Sequence, residues 1–314
     1  MLTRRHIRIK VMQSVYSFTV GKQFKIDDEV KFFKESVEHT FNLYLLLLGL
    51  IKSLHAHAEQ QLETIQKHNI QNETHFFILQ KFAQNKVLLF IKNHKSLSKH
   101  LNNKKLINWD LEFKYLKELF ELVTSSAIFK AYMALENIKI ADDLKLVLKI
   151  FKDHIATSSY LYDHIEDQRL TWIDDLPMVN TFMLKMLKKI KVNKPQTLLF
   201  PKPNENQEDT DFGIQLLEKV IVNDEKLQKE LLGKTPNWDA DRIAQLDNVI
   251  LKIAIAELLY FPLIPSKVTL NEYLEIAKDY STPNSNNFVN GVLDKLVKEF
   301  SQEKRLNKTG RGLL

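Results

Sequence analysis

Arg4, Arg5, Arg8 and Lys10 crowd four cations into the opening segment MLTRRHIRIK. Guanidinium groups fork onto phosphates and stack on unpaired bases, so the first chemistry this chain offers is RNA contact. A second polar cluster runs from Ser281 to Asn287, with Ser281, Asn284, Ser285, Asn286 and Asn287 just ahead of Phe288. Its hydroxyls and amides suit base edges or phosphates. Ser285 could equally serve as a helix cap.

Other residues read as structural, or have two readings. Tyr16 shares a helix face with Ile9 and Met12, an apolar surface that a packed helix or a partner must cover. Asp247 stands where a helix begins, a place that favours a carboxylate by itself. Glu257 projects from the centre of the stripe Leu246, Val249, Ile250 and Ile253, so it should be buried and need hydrogen-bond donors. Gly291 inside a helical pattern suggests a close backbone approach. His55 and Glu59 lie at i,i+4 with no further ligand assembled, and no metal is assigned. Residues 74–109 hold Lys81, Lys86, Lys92, Lys95, Lys99, Lys104 and Lys105 without one carboxylate. That is either a solvated face or an additional, sequence-independent RNA surface.

The elements that must position these residues are helices. The 314 residues contain 7 Gly, 8 Pro and 44% hydrophobic residues, and apolar positions recur at three- and four-residue spacing. A first helix is predicted over 5–20, with Ile7, Val11, Val15 and Phe18 as its core stripe. Further helices are predicted over 28–68, 74–102, 111–136, 142–168, 176–192, 211–232, 242–261, 270–280 and 286–300. Thr269 and Glu272 have capping-box spacing. Pro195, Pro201 and Pro203 mark an exposed linker and a domain boundary over 193–210. The segment 301–314 reads as a disordered basic tail.

Several function classes are excluded. Without Cys there are no disulfides, thiolate metal sites or thiol nucleophiles. No Gly-rich phosphate loop, HExxH or GxSxG pattern occurs, so neither enzyme activity nor a cofactor is expected. The start lacks a signal-peptide pattern, and the longest apolar run, Leu43 to Ile51, is too short to span a bilayer, so a cytoplasmic location is expected. A formal net charge of +6 suits a polyanionic partner, though weakly.

The segment LDNVILKIAIAELLYFPLIPSKVTLNEYLEIAKDYSTPNSNNFVNGVLDKLV resembles the NusB family in its helix, Pro-containing turn, NE-helix and FVNGVLDK signature, in that order. LTRRHIRIKVMQSVYSF is similar to that family's arginine-rich motif and first helix. The resemblance covers about 1–20 and 210–300, and residues 21–192 form an inserted helical region between them. It implies an all-α fold of helical bundles. It also implies antitermination of ribosomal RNA transcription on single-stranded boxA-like RNA, with the ribosomal protein NusE as partner and RNA polymerase engaged indirectly. On that resemblance Arg4, Arg5, Arg8, Lys10 and the 281–288 segment face RNA, while Tyr16 and Asp247 face NusE. The competing reading is a non-catalytic RNA- or protein-binding adaptor in ribosome maturation. NusB-like domains also precede a ribosomal RNA cytosine methyltransferase, but its catalytic domain and Cys residues have no counterpart here.

Inside the insertion, residues 143–190 echo the C-terminal part. A shift of 66 sets Ile155 on Ile221, Leu161 on Leu227, Trp172 on Trp238 and Asp175 on Asp241. A degenerate duplication and chance periodicity both account for it.

Overall fold

The computed structural model describes residues 2–21, 25–68, 72–103, 109–200, 207–232 and 245–309. Every regular element among them is helical, as the periodicity requires. The chain divides into two compact units, Glu38–Lys202 and Leu2–Val37 with Pro203–Leu314.

The first helix, α1 (Arg4–Gly21), buries Ile7, Val11 and Val15 along the expected stripe, and Met12 beside it. The 42-residue α2 (Ile26–Lys67) opens on Asp27, Asp28 and Glu29, which complement the positive end of its dipole. It runs through the point where the units divide. Within unit 1 its residues Leu43, Leu45, Leu46, Leu47, Leu48 and Leu50 are all buried. A helix apolar on every side belongs at the centre of a core.

Around it stand α3 (Glu73–Ala83), α4 (Lys86–Lys92), α5 (Lys95–Asn103), α6 (Phe113–Ser125), α7 (Ala127–Met133), α8 (Ile140–Ile150), α9 (Ser159–Gln168) and α10 (Thr171–Leu187). The single helix expected over 74–102 is three. Asn85 accepts from the Val87 and Leu88 amides and so starts α4, while Asn93 ends it. Ser126 and Ser158 cap α7 and α9 in the same way. A π-helical turn, Phe151–Ile155, follows α8. Trp172 donates to the His39 carbonyl and Thr40 donates to Asp175, fixing α10 against α2.

The expected linker is packed in its first part. Leu198 is buried, the Tyr44 hydroxyl donates to the Leu199 carbonyl, and Phe200 stacks on His100. Proline denies helix beyond one short turn, but aromatic packing holds the segment down. Residues 201–206, and the Trp238 and Asp241 that complete the echo of 143–190, lie outside the described residues.

Unit 2 adds α11 (Gln207–Val222), α12 (Asp224–Leu231), α13 (Gln245–Tyr260), α14 (Ser266–Tyr280) and α15 (Ser285–Gln302). α1 packs on α11 and α13, and the core gathers Ile7, Val11, Phe33, Leu216, Ile250 and Leu293 among others. Gly213 of α11 leaves room for Ile7 of α1 and Phe33 of α2. A Cβ there would stand 2.7 Å from Ile7 Cγ2 and nearer still to the Phe33 ring. Gly291 is the reverse of expectation, with nothing within 4 Å of a built Cβ, so no close approach requires it.

The tail also departs from expectation. Arg305 forks onto Glu230, with Nη1 3.1 Å and Nη2 2.5 Å from its carboxylate oxygens. The Lys308 ammonium donates to the Glu257 and Phe261 carbonyls, and the Thr309 amide donates to the Pro262 carbonyl. Lys308 thereby adds a second donor at the C-terminal end of α13, where the Glu257 and Phe261 carbonyls already accept from the Phe261 and Ile264 amides. Residues 310–314 lie outside the described residues.

Candidate nucleic-acid interface

The arginine motif occupies the first two turns of α1. Arg4 and Arg5 are partly exposed, whereas Arg8 and Lys10 are buried at 2% exposure each. A helix places residues 4 and 8 on one face, turned inward at position 8 by the stripe through Ile7 and Val11. The expected RNA contacts by Arg8 and Lys10 are therefore revised: both side chains lie inside the fold.

Arg8 is engaged by Glu257 of α13. Its Nε donates to Oε2 at 2.8 Å and its Nη2 to Oε1 at 2.9 Å. The Thr269 hydroxyl donates to Oε1 at 2.8 Å and the Tyr273 hydroxyl to Oε2 at 3.1 Å. Glu257 is fully buried with four donors, the arrangement a carboxylate inside an apolar stripe requires. Burial pulls the Arg8 guanidinium down, but the hydrogen bonds and charge of Glu257 outweigh it and hold its pKa above the ordinary range. Burial likewise raises the Tyr273 phenol, keeping it a donor.

This geometry overturns the capping box. α14 begins at Ser266, so Thr269 already lies inside the helix rather than at its N-cap. The Thr269 hydroxyl turns to Glu257, and the Glu272 carboxylate turns to Arg5. Arg5 Nε and Nη2 each lie 3.0 Å from a Glu272 oxygen. The Arg5 hydrogen bond lowers the Glu272 carboxyl below its usual value, against its partial burial. Arg4 Nε donates to Asp209 at 2.8 Å, and its guanidinium lies 5.1 Å from the Phe212 ring centroid.

The motif thus has an acidic complement that periodicity does not show. Glu208 and Asp209 in the first turn of α11 were the available signal. The arginines line a groove of about 650 Å³, shared with Thr3, Ile264, Pro265 and Val268.

The other polar cluster hangs from the opposite end of α13. Asp247, expected to face NusE or to favour the start of its helix, is 5% exposed and accepts from Ser281 Oγ at 2.6 Å and Ser285 Oγ at 2.7 Å. Both its oxygens hold the turn between α14 and α15. Ser285 is buried in doing so, while Asn284 and Asn287 are exposed, and Asn286 and Phe288 are half-buried. Asp247 and Glu257 are ten positions apart on α13, about 15 Å along its axis. One rigid helix therefore anchors both polar clusters.

Tyr16 is 40% exposed on α1, with Ile9 partly buried beside it. His55 is buried, its Nε2 2.8 Å from the Ala83 carbonyl, and burial lowers its pKa. No cluster of metal-binding side chains occurs among the described residues. Of the lysine-rich stretch, Lys81 caps the Met133 and Leu135 carbonyls and Lys92 pairs with Glu59. Lys86, Lys95 and Lys99 are exposed, and Lys104 and Lys105 lie outside the described residues. Among the described residues no helix is long and apolar enough to cross a membrane.

Residues 178–298 match the family model described as NusB family. Similar relatives include three proteins named transcription antitermination protein NusB. That of Salinibacter ruber is 40% identical over 111 residues, 35% of this chain and 69% of the relative. That of Chloroherpeton thalassium is 41% identical over 104 residues, 33% and 49%. That of Methylacidiphilum infernorum is 39% identical over 94 residues, 30% and 66%. No solved structure matches the chain.

Proposed function

Because this chain belongs to the NusB family, we propose that it acts as an RNA-binding transcription antitermination factor on boxA-like single strands, together with NusE. The residues ahead of the family match are consistent with a long insertion after the first helix. Arg4 and Arg5 meet the RNA, and Asn284 and Asn287 offer amides to its base edges. Arg8 and Asp247 are positioning residues, one locking α1 and the other the 281–285 turn. NusE docks on the apolar patch of Tyr16 and Ile9.

The observation that carries this reading is the partial exposure of Arg4 and Arg5 while Arg8 is locked beneath them on Glu257. Their carboxylate partners Asp209 and Glu272 are half-buried while the Arg4 and Arg5 side chains keep 47% and 40% of their exposure, so phosphate can reach the cations from the solvent side.

Fluorescence titration of the full chain, with and without NusE, tests it. A boxA-like strand should bind more tightly than a scrambled strand of equal length, and NusE should strengthen the difference. Arg4→Ala with Arg5→Ala should weaken binding and flatten the slope of log K against log salt by roughly 1.4, at about 0.7 per phosphate contact. Equal affinity for both strands would overturn specific recognition.

A further inference from the structure

Unit 1 carries a second groove, of about 460 Å³, between α8 with its π turn and the C-terminal half of α10. Its floor is Leu144, Leu148 and Leu184, and its walls are Lys145, Lys149, Lys152 and Lys188. The spacing makes the pattern: Leu144 and Leu148 form one i,i+4 stripe, Lys145, Lys149 and Lys152 the next stripe round the helix, and Leu184 and Lys188 face them from α10. Acidic groups do little to neutralise it. Asp153 reaches Lys149 at 3.3 Å, whereas Asp142 caps the Lys139 amide and Asp143 is buried against Tyr132. Among the described residues Lys145, Lys152 and Lys188 have no carboxylate within ion-pair distance. Lys185, Lys189, Lys191 and Lys194 continue the positive field, and residues 176–200 contain no acid.

We propose that this groove is a docking site for an acidic amphipathic helix of a partner protein. An apolar floor between two walls of cations fits a helix that presents leucine-like side chains downward and carboxylates to either side. The same walls would attract RNA phosphates, but the lining holds neither an aromatic ring nor a guanidinium on which a base could stack. Burial of the leucine floor under apolar side chains is the interaction a nucleotide chain cannot supply. This site is separate from the arginine motif and does not depend on the antitermination reading.

The test titrates the full chain with a labelled peptide of about four helical turns, with Leu at i, i+3, i+4 and i+7 and Glu elsewhere. The comparisons are a peptide of the same composition with its apolar stripe scrambled, and a single-stranded RNA of equal charge. The amphipathic peptide should bind at least about tenfold more tightly than the scrambled one and gain helical circular dichroism on binding. Lys145→Glu with Lys152→Glu and Lys188→Glu should weaken it about tenfold or more, with the melting transition kept. Leu148→Gln should weaken the peptide while sparing any RNA binding, and Leu184→Ala serves where Leu148→Gln disturbs the fold. Equal binding of the scrambled peptide, an unchanged Kd in the lysine variant, or tighter binding of RNA that survives the leucine substitutions would each overturn the proposal.

Discussion

Arg8 and Glu257, 249 positions apart, meet as a buried two-pronged ion pair, with Nε–Oε2 at 2.8 Å and Nη2–Oε1 at 2.9 Å. Side-chain exposure is 3% for Arg8 and 0% for Glu257, so solvent cannot replace either partner. Breaking such a pair from one side leaves a charge in the interior. Arg8→Met or Glu257→Gln should each cost about 3–5 kcal/mol. The double substitution Arg8→Met with Glu257→Gln should cost much less than the sum, because no uncompensated charge remains. Urea unfolding midpoints of the three variants check this. Additive losses would mean that the pair is not coupled.

The Asp247 carboxylate decides whether the turn between α14 and α15 is ordered. Asp247→Ala removes the acceptor of Ser281 and Ser285 and should destabilise unit 2 by about 1–3 kcal/mol. Amide hydrogen exchange over 281–286 should speed up more than that over α15. If the substitution left exchange in the turn unchanged and altered only partner binding, Asp247 would be a direct contact.

The helix content of this chain could be read from periodicity, and so could the burial of Glu257, because it stands among apolar neighbours one helical turn away. Breaks inside helical stretches were harder. Asn85 and Asn93 look like ordinary polar surface positions until the Asn85 side chain is seen accepting from two amides. The acidic answers to the arginine motif were barely legible. Asp209 and Glu272 reach Arg4 and Arg5 across more than two hundred residues, and little in their local sequence distinguishes them from solvated carboxylates. The tail misled for the same reason: its composition is polar, yet its cations find Glu230 and the end of α13.

Two glycines should respond oppositely to alanine. Gly213→Ala drives a methyl into Phe33 and Ile7 and should destabilise, by about 1–3 kcal/mol if the helices shift to admit it. Gly291→Ala enters open space in mid-helix and should stabilise by about 0.5–1 kcal/mol. Thermal unfolding of both variants checks the pair, and a loss at position 291 would reveal a contact made only with a partner.

Lys308 should titrate far below an ordinary lysine. Burial lowers it from 10.5 to about 8, and the Glu257 charge opposes that only in part. The docked ammonium binds its proton less well than the released one does. Docking of the tail therefore strengthens as pH rises from about 8 to 10.5 and is constant below that window. A carbon-13 NMR titration of the Lys308 side chain should show a midpoint near 8, moving towards 10.5 in Arg305→Ala, which frees the tail from Glu230. An ordinary midpoint in the intact chain would show that Lys308 is not held on the α13 carbonyls.

The division of the chain between its units sets an order of folding. Unit 1 is one continuous stretch, whereas unit 2 draws on both flanks of it. α1 is synthesised before unit 1 but packs on α11 and α13, which follow the whole of it. Closing so long a loop from an open chain would cost about 4–5 kcal/mol in entropy before any contact of α1 repays it. A unit 1 already folded on the ribosome removes most of that cost by fixing where its ends emerge. Refolding from denaturant should accordingly show two phases, with the arginine motif completed only in the slower one.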